Sequence, residues 1–227
     1  MPEAGDTDAR DRAGGDSGAG GDGPVPARPG VAAFDFDGTL AGRDTLVPFL
    51  RQVRGTPRVA LAAGRAALRA RDRDALKVAA IGHLFRGVAG ERLDALGRAY
   101  VPTLVGLLRP EMVERLDWHR AEGHALVVVS ASLGVYLRPL ADELGLDAAL
   151  AVELVTDADG VLTGEVVGQL NTRGPEKVAR LRAWADQRFG PAGEFELWAY
   201  GDSAGDEELL ALADHPTWVG RRAGSAR

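Results

Sequence analysis

Residues 31–44 read VAAFDFDGTLAGRD. The first four are short and apolar, the pattern of a buried strand, and the strand runs into a turn that contains Gly38. Two acids, Asp35 and Asp37, stand two positions apart at that junction. Like charges so close repel each other, and an apolar strand end gives them little water to lessen the repulsion. Such a pair implies that something else at the site offsets the charge. Thr39 follows directly, and a third acid, Asp44, lies nine positions after Asp35.

Working outward, the pattern after Asp44 turns helical as far as about Leu108. The segments TLVPFLRQVR, PRVALAAGRAALRA, DALKVAAIGHLF and ERLDALGRAYVPTLVGLL repeat apolar residues at three and four, with Gly, Pro or Asp between them. No strand signal interrupts this four-helix insertion. From residue 109 strands and helices alternate. PEMVERLDWHRAEG is a helix, ALVVVS (125–130) an apolar strand and SLGVYLRPLADELG a helix. AALAVELVTDADGVLTGEVVG is a strand plus a hairpin turned at Asp159-Gly160. GPEKVARLRAWADQRFG is a helix, FELWAYGDS a strand running into a turn, DEELLALA a short helix and PTWVG a last short strand. Such alternation implies a parallel sheet covered on both faces. The expected organisation is an acidic, Gly-rich disordered tail over 1–30, a core domain from 31–43 and 109–220, the inserted helices over 44–108, and a flexible terminus over 221–227.

Composition sets limits. The chain has 227 residues, enough for one well-filled core with a small accessory unit, and 45% of them are hydrophobic, as in a folded globular domain. A net charge of -6 argues against non-specific nucleic-acid binding. No apolar run approaches the ~20 residues of a membrane span, and the N-terminus lacks the apolar core of a signal peptide. With no Cys there are no disulfides, thiolate nucleophiles or Cys-type metal sites, which fits a cytoplasmic enzyme. Only two of the 27 basic residues are Lys, at 77 and 177, so each invites a reason.

In a doubly wound sheet, ligands bind beyond the carboxyl ends of the strands. The first strand there delivers Asp35, Asp37 and Thr39, the second Ser130, and the fourth, through GDSAGD, Asp202 and Asp206. Lys177 lies just inside the helix after the hairpin. So many carboxylates ionise together only beside a cation, and hard oxygen donors with room for a substrate oxygen suit Mg²⁺. Lys177 and the hydroxyls then remain to hold an anion. An anion beside a hard cation and a carboxylate nucleophile is an arrangement for phosphoryl transfer.

These motifs, DFDGT, VVVSAS, GPEK and GDSAGD in that order, resemble those of the haloacid dehalogenase superfamily. The insertion looks like the cap of its phosphoserine-phosphatase-like branch, subfamily IB. The resemblance spans about 31–220 and rests chiefly on the two acidic motifs. It implies a Rossmann-like doubly wound α/β core with an inserted four-helix cap, and a Mg²⁺-dependent phosphatase acting on a small phosphorylated metabolite. By that resemblance Asp35 is the nucleophile that forms an aspartyl-phosphate. Asp37 protonates the leaving alkoxide and then activates water. The metal is held by Asp35, the backbone carbonyl of Asp37 and Asp202, with Asp206 supporting it through water or as a ligand. Thr39, Ser130 and Lys177 hold phosphoryl oxygens.

Asp44 occupies the place where phosphoserine phosphatases carry a Glu that contacts the substrate amine, or it caps the helix that follows. Facing the pocket, it favours an aminated ester such as phosphoserine, phosphoethanolamine, phosphocholine or histidinol phosphate. The insertion is rich in Arg, and the sequence singles out none for a substrate carboxylate. TWVGRR (217–222) departs from the Val-Asn-Pro turn frequent in relatives. Two alternatives stand beside the phosphatase: a phosphotransferase or mutase sharing the aspartyl-phosphate, and a catalytically silent binder of phosphate ligands. Asp206 is also expected to cap the DEELL helix. Lys77 reads as a surface residue of the insertion, the four His as structural or surface, and the four Trp as core.

Overall fold

A computed structural model describes residues 28–67, 73–167 and 172–220, without the side chains of residues 73 and 74. Most of the expected tail, residues 1–27, and the terminus 221–227 lie outside the described residues. The opening stretch forms β1 (Gly30–Phe34) and ends at the acidic pair. Four helices follow: α1 (Leu46–Arg54), α2 (Thr56–Ala67), α3 (Arg73–Phe85) and α4 (Gly90–Val105). The chain then alternates through α5 (Pro110–Ala121), β2 (Ala125–Leu133), α6 (Gly134–Leu144) and β3 (Ala148–Val152). A hairpin of β4 (Leu154–Thr156) and β5 (Leu162–Val166) leads to α7 (Pro175–Phe189), β6 (Glu196–Gly201), α8 (Glu207–Leu212) and β7 (His215–Trp218).

The main sheet has the order β3-β2-β1-β6-β7, and every pair in it is parallel. Alternating residues of β1 divide between its faces. Ala32 and Phe34 join a cluster with Leu116 of α5, Tyr136 and Leu137 of α6 and residues of the insertion. Val31 and Ala33 face Leu181 of α7 and Leu209 and Leu210 of α8. Both faces are therefore covered, as the unbroken apolar strands require. The direction of winding reverses between β1 and β6, which opens a crevice beyond their carboxyl ends.

Two features differ from the sequence reading. The strand expected over 125–130 continues to Leu133, which shortens the helix expected to begin at Ser132. Pairing with β3 slips within the added stretch: Val129 faces Leu150 and Leu133 faces Val152, so β2 carries two extra residues between those pairs. The extra residues let the backbone stay extended after regular pairing ends. The Asp159-Gly160 hairpin forms as expected, with Asp157 Oδ1 accepting from the N–H groups of Asp159 and Val161. It leans on the insertion. Leu162 exchanges backbone hydrogen bonds of 2.8 Å with Val88 and Gly87, and Gly82 and Gly164 touch backbone to backbone with no room for a Cβ.

An aromatic triangle joins the insertion to the sheet. Phe49 of α1, Tyr100 of α4 and Tyr136 of α6 are buried, with ring centroids 4.9–5.7 Å apart. Such pairs are worth about 0.5–1.5 kcal/mol each beyond the area they bury. The triangle lies directly beneath the acidic turn, since Tyr100 donates to the carbonyl of Thr45.

Candidate active site

Asp35 extends the β1 ladder by one bond, its N–H donating to the carbonyl of Tyr200 at 2.9 Å. The chain then folds back sharply, with Leu40 N–H on Asp35 O and Ala41 N–H on Phe36 O. Gly38 makes this possible with a φ of 86°, a region open to Gly at little cost. Arg109, at the start of α5, clamps the turn from outside through Nη2 to the Gly38 carbonyl at 3.2 Å. Across the crevice, β6 ends at Gly201 and presents Asp202. Ser203 and Asp206 close a capping box, with Asp206 Oδ2 accepting from Ser203 N–H and Oγ at 3.0 and 2.9 Å. Ser203 caps this short turn and Asp206 is its third residue; contrary to expectation the Asp206 side chain makes no cap on α8, because Oδ2 is engaged by Ser203 and Oδ1 turns to the site.

The switch point brings Asp35, Asp202 and Asp206 together, with one carboxylate oxygen of each lying within 4.8 Å of the others. Lys177 enters from the first turn of α7, is 2% exposed, and donates to both Asp35 Oδ1 and Asp206 Oδ1 at 2.6 Å. Burial pushes the Asp35 carboxyl up to about 6 despite the attraction of Lys177, and Asp206 adds to the rise. Burial and the charge of Asp206 also raise Asp202. The ammonium stays protonated, because the two carboxylates outweigh its own burial. Three carboxylates and one ammonium leave two negative charges in a poorly hydrated crevice. A divalent cation would cancel them, and an all-oxygen donor set suits Mg²⁺. The residues present therefore fit that ion.

The carboxylate of Asp37 lies outside this group. Its Oδ1 accepts from the N–H and hydroxyl of Thr45 at 2.8 and 2.6 Å, and its Oδ2 accepts from the hydroxyl of Ser132. The expectation for metal binding concerned its backbone carbonyl, and the side chain is engaged elsewhere. Burial raises the Asp37 carboxyl, the Ser132 and Thr45 hydrogen bonds oppose the rise, and the nearby charge of Asp44 adds to it. Two neighbouring acids thus occupy different surroundings: Asp35 among carboxylates and an ammonium, Asp37 between two hydroxyls. That separation is what an acid and a nucleophile in one site require.

The remaining expected residues can be placed. Thr39 is buried, with a long 3.5 Å contact from its hydroxyl to Asp202 Oδ1. Ser130 is buried, and its Oγ accepts from Ser132 N–H at 3.2 Å. Asp44 is exposed, and its Oδ1 accepts from Val47 N–H at 3.1 Å, as a cap of α1 does. Sequence reading missed Thr45 and Ser132 as the partners of Asp37. Lys77, expected at the surface of the insertion, differs too. Lys77 is in fact half-buried and donates to the carbonyl of Ala131 at 2.5 Å, because α3 turns that side of itself toward the tip of β2. Three of the four His gather in an aromatic stack with Trp198. Within it the buried His119 bonds both His124 and Tyr200, and burial pushes its imidazole down to about 4. Trp118, expected in the core, is 40% exposed beside this stack.

Comparison with known proteins agrees with this fold. Residues 32–211 match the family of haloacid dehalogenase-like hydrolases. Protein CicA of Caulobacter vibrioides is 36% identical over 199 residues, covering 85% of this chain and 86% of its own. The crystal structure of a protein of unknown function from Bordetella pertussis superposes with a TM-score of 0.69 at 22% identity, over 84% of this chain and 89% of its own. A probable phosphoserine phosphatase from Vibrio cholerae superposes with a TM-score of 0.57 at 21% identity, over 82% of this chain and 54% of its own. These last two likenesses concern the fold. On the family match and the CicA identity together, the chain belongs to the haloacid dehalogenase-like hydrolases.

Proposed function

We propose that this hydrolase is a Mg²⁺-dependent phosphomonoesterase that acts through an aspartyl-phosphate on Asp35. The observation that carries this reading is the division of labour between Asp35 and Asp37. An oxygen of Asp35 attacks phosphorus and the ester P–O bond breaks. Asp37, raised toward its protonated form and held at the side of the turn, gives its proton to the leaving alkoxide. The same carboxylate, now ionised and steadied by Thr45 and Ser132, takes a proton from the water that attacks phosphorus, and free phosphate leaves Asp35. Thr39, Ser130 and Lys177 hold the phosphoryl oxygens. Asp35, Asp202 and Asp206 would hold the Mg²⁺, which when bound would supply the positive charge that lets these acids ionise together and would polarise the phosphoryl group.

The substrate is read as a small phosphorylated metabolite of the amino-alcohol or amino-acid type. The exposed carboxylate of Asp44, close enough to Asp37 to raise its carboxyl, supports a cationic leaving group. The setting is read as the cytoplasm, which the absence of cysteine suits. Among the described residues no helix is long and apolar enough to cross a membrane.

Phosphate release from an aryl phosphate with and without Mg²⁺ tests the reaction, and a panel of aminated and carboxylated esters tests the substrate. Mg²⁺-dependent turnover that Asp35→Asn abolishes is the expected result. Full activity in that variant, or transfer of the phosphoryl group to an acceptor without free phosphate, would overturn the assignment.

A further inference from the structure

The chain uses Lys twice among 27 basic residues, and both ammonium groups end at the strand tips that build the site. Lys177 rises from α7 into the carboxylates. Lys77 comes from the other side, from α3 of the insertion, and meets the backbone at Ala131. Ala131 lies in the stretch of β2 where pairing with β3 slips. Carbonyls in such a stretch lose regular ladder partners and need others. A charge-assisted bond from an ammonium is a strong replacement. The residues on either side of Ala131 are Ser130 and Ser132. The Ser132 N–H donates to Ser130 Oγ, and the Ser132 hydroxyl donates to Asp37. Any movement of the Ala131 peptide therefore moves both hydroxyls together.

We propose that Lys77 is a positioning residue for the reaction: by holding the Ala131 carbonyl it fixes the irregular tip of β2, and so fixes Ser130 for the phosphoryl group and Ser132 for Asp37. This rests on the phosphatase reading but adds a residue which that reading does not use. The compact ammonium on a flexible stem explains the choice of Lys in an Arg-rich chain. It reaches a backbone oxygen between helix and strand as a compact donor, which Arg's wide planar fork is not. The insertion is thereby tied to Asp37 twice, by Thr45 at its start and by Lys77 through Ser132.

The test compares wild type, Lys77→Met and Lys77→Cys, all loaded with Mg²⁺. The chain has no cysteine of its own, so the Lys77→Cys protein can be alkylated with 2-bromoethylamine at that one site, which restores an ammonium of nearly the same reach. Amide hydrogen exchange at residues 130–132 is read alongside kcat and KM for two small esters, one with a carboxylate on its leaving group and one without. In Lys77→Met, exchange should quicken at those residues while the thermal midpoint stays near wild type. For both esters alike kcat should fall about ten- to a hundredfold, the scale of a misplaced catalytic group, with KM little changed. Alkylation of Lys77→Cys should recover both exchange protection and kcat. A rise of KM confined to the carboxylated ester would make Lys77 a substrate contact instead. Unchanged exchange and kcat would remove it from the reaction altogether. A wild type inactive on both esters would refute the phosphatase reading alone, since exchange would still decide whether Lys77 holds the strand tip.

Discussion

Gly38 and the carboxylate of Asp202 occupy space that no side chain could share. A Cβ placed on Gly38 would stand 2.6 Å from Asp202 Cγ and nearer still to one of its oxygens. The acidic turn and the acidic strand end are thus pressed together across the switch point, backbone against carboxylate.

Gly38→Ala should therefore damage the site twice. The residue keeps a φ of 86°, which costs a non-Gly residue about 1–3 kcal/mol, and the new methyl group displaces Asp202. Thermal unfolding should show the loss of stability, and titration with Mg²⁺ followed by calorimetry should show weakened binding. A variant that binds Mg²⁺ as wild type does would mean that Asp202 is not a ligand.

Removing either hydroxyl beside Asp37 should leave its carboxylate less well held. In Ser132→Ala and in Thr45→Val the ionised form loses a hydrogen bond, so the carboxyl rises further from its ordinary value. The step that needs Asp37 as a base then requires a higher pH, and the acid limb of the kcat profile should move to higher pH in both variants. Asp37→Asn, which can neither give nor take the proton, should cost about 10²–10⁴ in kcat. A limb that stays in place would separate these hydroxyls from the titrating group.

Asp44 can be resolved into its two roles by a pair of variants. Asp44→Ala loses the cap on Val47 N–H and should cost about 1 kcal/mol in thermal or denaturant unfolding. Asp44→Asn keeps a capping oxygen and loses only the charge, so its stability should stay near wild type. If the charge meets a substrate amine, Asp44→Asn raises KM for aminated esters and leaves an aryl phosphate unaffected. Equal KM values for both classes would assign Asp44 to the helix alone.

The metal and pH should act on stability in a defined direction. The Asp35 carboxyl is raised in the folded protein from 3.8 to about 6. Between those pH values the folded protein keeps a proton that the unfolded chain has lost, so metal-free stability should fall as pH rises through this window and then level off. The shift corresponds to on the order of 3 kcal/mol. Asp35→Asn should flatten that fall and raise the midpoint of the metal-free protein at neutral pH. Mg²⁺ at a hundred times its dissociation constant should add about 2.7 kcal/mol to wild type and much less to Asp35→Asn. Calorimetry at pH 4, 5, 6 and 7, with and without Mg²⁺, checks every part of this.

Much of this was legible in the chain, because strong local signals agreed with one another. The apolar run before Asp35, the helical spacing over 44–108 and the turn at Asp159-Gly160 each reflect contacts close in sequence. The acids of the site sit at strand ends, where alternation alone predicts a crevice. What escaped reading depended on the tip of β2. Ser132 donates to Asp37 from the stretch where pairing with β3 slips after Val129, and two extra residues in a strand leave no compositional mark. Thr45 looked like the first residue of a helix. Lys77 did carry a signal, its rarity, but nothing within α3 tells which side of that helix meets the sheet. The Asp44 side chain was ambiguous because both of its roles ask for the same residue type at the same place.

Thr45 has a consequence for how this branch of the family can be rebuilt. It lies at the seam where core passes into insertion, and through both its N–H and its hydroxyl it grips an acid that belongs to the core. A graft that exchanged the insertions of two relatives from the first turn of α1 onward would leave that grip intact. One cut before Thr45 would import a foreign partner for Asp37 along with the new specificity. The boundary between insertion and core therefore runs through a residue whose hydroxyl holds a core acid, and chimeras joined on either side of it should differ in turnover even when they share every other residue.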